Sequence, residues 1–205
     1  SQELIIRKYS VRVLTPRQMA ILYGSLLGDG YIHPLGKMCF EQADSQRDYL
    51  IWKYAEVKDF AYPKIARVTR LDKRNGHSTT SYRFFLRQYF KKWRHIWYPQ
   101  GTKSIPDDLA KWFTPLSLAI WYMDDGHLDK GVSPLFASEN FSSTDLSKVI
   151  TILQKWNINC SINHNNRLRI LHSSTPRFMR LIGPHIVESM SYKILAPAPT
   201  TDCRV

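Results

Sequence analysis

The sequence predicts an α+β protein in which one unit occurs twice, the copies related by a pseudo-twofold axis. Three observations carry that prediction. A Thr-Pro step opens an apolar stretch that closes on Asp-Gly, first from Thr15 to Gly30 and again from Thr114 to Gly126. Asp29 and Asp125 lie 96 residues apart, as do Phe40 and Phe136, and Leu50 and Leu146. Each Asp-Gly is then followed by the same series: a short strand, a helix, a two-stranded hairpin and another helix. The chain of 205 residues accordingly divides into halves 1–105 and 106–205.

Each element has a local reason. Thr at the N-cap with Pro in the first turn is a strong helix start, because Pro gives up only an N–H that has no partner there. "RQMAILYGSLL" and "LSLAIWYM" continue without a breaker, and the first helix reads as about one turn longer. The strand candidates are "MCFEQ" and "PLFAS", and the helices after them "SQRDYLIWKYAEV" and "SSTDLSKVITILQKW". In the second hairpin Ile158, Cys160 and Ile162 alternate with Asn157, Asn159, Ser161 and Asn163, and Leu168 and Ile170 alternate with Arg167 and Arg169. Asn165-Asn166 supplies the turn. In the first, Tyr82, Phe84 and Leu86 alternate with Ser81, Arg83, Phe85 and Arg87, while Ala66 and Val68 alternate with Arg67 and Thr69.

Composition bounds the partner. There are 29 Lys and Arg against 17 Asp and Glu, a net charge of +12. Residues 1–99 hold 18 basic and 8 acidic residues, and residues 100–205 hold 11 and 9. The first-guess partner is a polyanion, nucleic acid or an anionic membrane surface; a well-solvated basic surface is the plain alternative. The outer hairpin positions carry Arg, Asn, Ser, Thr and one Phe and no acid, groups that hydrogen-bond to phosphates and base edges, and a two-stranded ribbon fits the major groove. On this basis the nucleic-acid contacts are Arg67, Thr69, Arg70, Lys73, Arg74, Ser81, Arg83, Arg87, Ser161, Asn163, Arg167 and Arg169. Cys39, Cys160 and Cys203 are odd in number and lack CxxC spacing, which points to a reducing compartment without a zinc site. No stretch reaches the ~18 apolar residues of a membrane span, and the start "SQELIIRKYS" lacks a signal-peptide pattern, so an intracellular protein without membrane contact is expected.

A core helix ending in Asp-Gly has a plain explanation, with glycine in a left-handed cap. A carboxylate at a helix C-terminus nevertheless opposes the macrodipole, and two of them in matching places call for a compensating cation. If the two helices pack side by side, Asp29 and Asp125 meet at one end of the seam, with Gly24, Gly28 and Ala119 permitting close approach. Two carboxylates and nearby carbonyls form an oxygen-lined site suited to Mg²⁺.

"LYGSLLGDG" and "LAIWYMDDG" resemble the two signature motifs of single-chain LAGLIDADG homing endonucleases. The resemblance covers nearly the whole chain, and "KSIPDDLAKWFTPLSLAIWYMDDG" and "SMSYKI" look like a group I intron endonuclease of that family. It implies two αββαββα halves, saddle-shaped antiparallel sheets laid in the DNA major groove, and motif helices packed at the centre. It implies metal ligation by Asp29 and Asp125 and by the carbonyls of Gly28 and Asp124, with Asp124 itself a backbone ligand or structural residue. Lys103 and Lys193 would sit beside the scissile phosphates. Gln42 and Glu139 would line water near the metals, with Ser138 in place of Glu139 if the alignment slips by one. The implied reaction hydrolyses one phosphodiester on each strand of a long, imperfectly palindromic site, with Mg²⁺ or, as a substitute, Mn²⁺, by a monomer on double-stranded DNA. An intron-encoded protein of this kind would be intracellular, in a mitochondrion or chloroplast. Leu27 and Met123 stand where the motif often has an acid, and Ile120 where a small residue is common, which predicts a looser seam there.

Other catalytic patterns fail. "GSLLGDG" lacks the GK[ST] of a phosphate loop, Lys130 stands where a calcium loop starting at Asp125 needs Gly, and "HNN" falls in a hairpin turn. An RNA-splicing maturase acting on intron RNA and a non-cleaving DNA-binding protein of the same fold remain as alternatives. Intact Asp29, Asp125, Lys103 and Lys193 argue against the second.

Overall fold

Helix-start chemistry organises both halves. Thr15 caps α1 (Pro16–Leu27) and Thr114 caps α5 (Pro115–Asp125), and in each case the third helical residue, Gln18 or Ser117, reaches back to the cap to complete a capping box. The computed structural model describes residues 4–7, 10–74 and 76–194. Cys203 lies outside them; Cys39 and Cys160 are free thiols.

After a two-stranded pair, β1 (Leu4–Arg7) and β2 (Ser10–Val13), each motif helix leads into a four-stranded antiparallel sheet. The first comprises β3 (Tyr31–Ile32), β4 (Met38–Ala43), β5 (Ala66–Leu71) and β6 (Ser78–Phe85) in the order β3-β4-β6-β5. The second comprises β7 (Gly126–Asp129), β8 (Ser133–Phe136), β9 (Cys160–Ile162) and β10 (Leu168–Ile170) in the order β7-β8-β10-β9. The two orders are the same, as a duplicated unit requires. Helices α2 (Arg47–Val57) and α3 (Lys91–Trp97) belong to the first series, and α6 (Ser143–Lys155) and α7 (Thr175–Ile182) to the second; a short α4 (Leu109–Trp112) precedes α5. Among the described residues no helix is long and apolar enough to cross a membrane.

The 96-residue offset holds in the core. Phe40 and Phe136 are both buried, as are Leu50 and Leu146, within one hydrophobic cluster that includes residues of both motif helices. α1 and α5 pack against each other with almost no gap. A Cβ placed on Gly24 would lie 2.5 Å from the Ser117 carbonyl oxygen and 2.9 Å from Ile120 Cβ. Ile120 and Gly24 occupy matching positions in the two helices, so the bulk on one side is met by a glycine on the other. The seam is not looser at Ile120.

Two expectations are corrected and one alternative is excluded. The first helix is 12 residues and the second 11, rather than differing by a turn. The extra residues of the first half form a turn beyond Leu27, closed by Gly28 N–H to Gly24 O at 3.2 Å and Gly30 N–H to Ser25 O at 2.7 Å. The plain alternative of left-handed glycine caps is excluded: φ is −93° at Gly28 and −89° at Gly126, and Gly30 also lies outside the left-handed region. They are small because the space is taken, a Cβ on Gly28 falling 2.5 Å from Asp124 Cβ. Finally, β8 stops at Phe136, short of Ala137 and Ser138, whose hydrogen bonds go to the Asp125 carbonyl and to the β9–β10 hairpin.

Candidate active site

The helix seam delivers both aspartates to one place, by different routes. Asp29 follows the end of α1 in an exposed turn, whereas Asp125 is the last residue of α5 and is half-buried. Burial, then the nearby Asp29 and Asp124 charges, push the Asp125 carboxyl up to about 7, against the opposing pull of Lys103. The Trp121 indole N–H favours its charged form slightly without reaching hydrogen-bonding geometry. Asp29 has a direct partner: its Oδ2 accepts from Gln42 Nε2 at 2.8 Å.

Two lysines arrive from separate loops. Lys103 donates to the Gly28 carbonyl at 2.7 Å, and Lys193 to the Met123 carbonyl, with Asp124 O at 3.4 Å. Lys103 is set by its neighbour Ser104, whose N–H bonds Trp97 O at 2.8 Å and whose hydroxyl donates to Asp145 at 3.0 Å. Lys193 ends a 3-10 turn, Glu188–Lys193, whose last carbonyl accepts from Tyr122 OH at 2.9 Å. Burial lowers both ammonium groups, Lys103 to about 8, while the three aspartates pull the other way. A cavity of about 340 Å³ opens beside Asp29 and Lys103, bounded also by Tyr31, Tyr98, Thr102 and Asn140.

These oxygens could hold a hard divalent cation. Two carboxylates and two carbonyls are the donor type such ions take, and a cation would favour the charged form of the Asp125 carboxyl against its burial and the Asp29 and Asp124 charges. Asp124 does not add a third carboxylate. Its side chain is fully buried and takes Lys53 Nζ at 2.6 and 2.9 Å. Consistently, no cluster of three or more His, Cys, Asp or Glu side chains that could hold a metal exists among the described residues. A cation at the Gly28 carbonyl would share that oxygen with Lys103.

Gln42 lies beside Asp29, and Glu139 lines a cavity with Lys103 and Asn140. Gln42 is 4% exposed against Asp29, whereas Glu139 sits at the surface in an ion pair with Arg167. Ser138, which the offset matches to Gln42, is buried, but donates to Asn166 O at 2.6 Å and accepts from Leu168 N–H at 2.9 Å. Asn140 and Lys53 were not read from the sequence. Lys53 had a signal: it falls in register with Tyr49, Leu50 and Val57 on the buried face of α2. Asn140 had none.

The sheet faces also need correction. Arg67 pairs with Tyr82, and Thr69 with Thr80, so both lie on the opposite face from Ser81 and Arg83. Arg70 shares the Ser81 face and donates to Ser81 Oγ at 3.0 Å. That face is not free of acids, because neighbouring segments supply them. Arg70 pairs with Glu41, Arg169 with Asp129 at 2.7 Å, and Arg167 with Glu139. Arg83 and Arg87 lie over the rings of Phe85 (5.4 Å) and Tyr62 (5.0 Å). Lys73 and Arg74 are exposed in the β5–β6 loop, and Ser161 is exposed opposite Arg169. Asn163 is turned inward on its own hairpin, its Oδ1 accepting from the N–H groups of Asn165 and Arg167 at 3.0 Å each.

Residues 19–178 match the LAGLIDADG DNA endonuclease family. The chain is 31% identical over 200 residues to the cytochrome b mRNA maturase bI2 of Debaryomyces hansenii, covering 88% of this chain and 74% of that protein. It is 29% identical over 205 residues to a probable intron-encoded endonuclease 1 of Wickerhamomyces canadensis, covering 89% and 85%. Its structure superposes on that of the homing endonuclease I-WcaI bound to its DNA recognition sequence with a TM-score of 0.79, at 26% identity, over 90% of this chain and 88% of that one. Twin motif helices, two sheets of one topology and a match across both motifs lead to one conclusion: the chain belongs to the LAGLIDADG DNA endonuclease family.

Proposed function

We propose that the protein is a site-specific DNA endonuclease that hydrolyses one phosphodiester on each strand of a long, imperfectly palindromic duplex site, using a divalent metal, Mg²⁺ with Mn²⁺ as a substitute. The observation that carries this reading is the pairing at the seam: Asp29 and Asp125 at the ends of twin helices, with Lys103 on the Gly28 carbonyl and Lys193 on the Met123 carbonyl, 3.4 Å from Asp124 O. Asp29, Asp125 and the carbonyls of Gly28 and Asp124 would hold the metal, which supplies Lewis-acid stabilisation of the charge that builds on the phosphate. Lys103 and Lys193 place a positive charge beside that phosphate and hold a proton at Nζ that burial makes easier to release. Gln42 orients Asp29, to whose carboxylate it donates, and would line water beside the metal. The sheets carry the duplex contacts through Arg70, Lys73, Arg74, Ser81, Arg83, Arg87, Ser161, Arg167 and Arg169. Halves 1–105 and 106–205 each serve one half-site, so a monomer suffices. An intron-encoded protein of an organelle fits this reading.

The test is cleavage of a randomised duplex library in Mg²⁺ by the wild type, Asp29→Asn and Asp125→Asn. Cutting at one long site, lost in both variants, supports the reading; equal binding without cutting by all three defeats it. The similarity to a protein named as an mRNA maturase favours a second reading, in which the protein assists splicing of an intron RNA. Splicing of that RNA, retained by both Asp→Asn variants, would separate it from the first.

A further inference from the structure

Lys53 is 1% exposed on α2, and its ammonium reaches across to the Asp124 carboxylate on α5. Asp124 passes the contact on in two directions. Its Oδ1 accepts from Gln42 Nε2 at 3.3 Å, and its Oδ2 from the Asp29 backbone N–H at 3.4 Å. The same Gln42 nitrogen donates to Asp29 Oδ2 at 2.8 Å.

Among the described residues no matching lysine–carboxylate–amide series supports Asp125. At the 96-residue offset, Lys53 corresponds to Val149, which is fully buried, and Asp124 to Gly28, whose missing side chain makes room for Asp124 itself. Gln42 corresponds to Ser138, which is engaged with the hairpin. Stability does not explain the lysine, since a buried ion pair is commonly no better than apolar residues of the same volume. Orientation does. The pair fixes Asp124, and Asp124 holds both the peptide and the side-chain partner of Asp29.

We propose that Lys53 is a positioning residue which, through Asp124 and Gln42, orients the Asp29 carboxylate, so that the two strand cuts depend on different supporting side chains. This rests on the endonuclease reading above. The experiment is cleavage of a supercoiled plasmid carrying the site that the wild type selects, with every nick mapped to its strand. Lys53→Met/Asp124→Leu replaces the ion pair with apolar groups and leaves every backbone oxygen in place. The result expected is a melting temperature close to wild type, with one strand cut about 10²-fold more slowly relative to the other, as a carboxylate displaced by ~1 Å would produce. Circles nicked always on the same strand then accumulate. Lys53→Met/Asp124→Asn keeps an oxygen for Gln42 and should give an intermediate strand ratio. Val149→Ala should lower the melting temperature and leave the strand ratio unchanged.

Equal slowing of both strands, or no slowing, in the Met/Leu pair overturns the proposal and leaves the endonuclease reading standing. If that pair does not fold, the Met/Asn pair decides, and a strand ratio equal to wild type overturns the proposal. A wild type that cuts no DNA overturns both.

Discussion

The surroundings of Asp29 and of Asp125 are alike in backbone and unlike in side chains. Both aspartates sit at the end of a capped apolar helix, both precede a glycine outside the left-handed region, and each has a lysine on a nearby helix-end carbonyl, Lys103 on Gly28 O and Lys193 on Met123 O with Asp124 O at 3.4 Å. Asp29, however, is exposed and tied to Gln42, with Asp124 and Lys53 behind it. Asp125 is more deeply set, and the matching strand-end residue has been turned away from it. A duplicated unit thus keeps what the helix seam demands, because both helices must fit each other. It releases what each sheet can vary separately. Charge follows the same division, with the first half holding most of the basic excess.

The comparison can be broken most severely at the aspartates. Asp29→Asn and Asp125→Asn should each reduce cleavage by about 10³-fold or more while DNA binding persists, since several kcal/mol of charge stabilisation are removed; gel-shift and cleavage assays on one site check this. Retained cutting in one variant would show that only the other aspartate is essential. Lys103→Met and Lys193→Met should come next, each losing about 10²-fold, as is typical for one group stabilising transition-state charge. Single-turnover rates on each strand would tell whether the two lysines serve different phosphates.

The seam can be tested without chemistry. Gly24→Ala brings a Cβ 2.5 Å from the Ser117 carbonyl oxygen and should destabilise the fold by about 1–3 kcal/mol in denaturant unfolding. A smaller effect follows from the difference in burial. The Asp125 carboxyl titrates at about 7 rather than near 3.8, so between these values the folded protein binds more protons than the unfolded chain. Stability therefore falls as pH rises through that window. In metal-free protein, Asp125→Asn should raise the melting temperature at pH 8 and have little effect at pH 3.5. Adding Mg²⁺ at pH 8 should stabilise the wild type and not the variant. The smallest change is expected from Glu139→Gln, within about threefold in cleavage rate, because an exposed pair with Arg167 contributes little.

How far the site was legible depends on which force placed each residue. Gln42 was readable because strict alternation along β4 carries it to the buried face. In the second half the same rule gives no guide, because β8 ends at Phe136 and alternation has no meaning beyond it; Ser138 turns to the hairpin and Glu139 pairs with Arg167. Arg67 and Thr69 were assigned to the wrong face for a related reason: alternation orders residues within a strand, but the pairing register decides which set of β5 faces with which set of β6. The acids opposite Arg70, Arg167 and Arg169 come from other segments of the chain, so no local window contained both partners.

By itself, the sequence determined the duplication, both helix starts, the order strand, helix, hairpin, helix in each half (without the short β3 and β7), and the two aspartates at the helix ends. These follow from short-range rules, namely capping, Pro and Gly geometry and periodic burial, which act within a few residues and leave their mark in the string. Only the tertiary structure decided that Gly24 answers Ile120, that Gly28 makes room for the Asp124 side chain, and that Asp124 turns inward to Lys53. Each of those is a contact between residues far apart in the chain, and its existence depends on distances that packing alone sets.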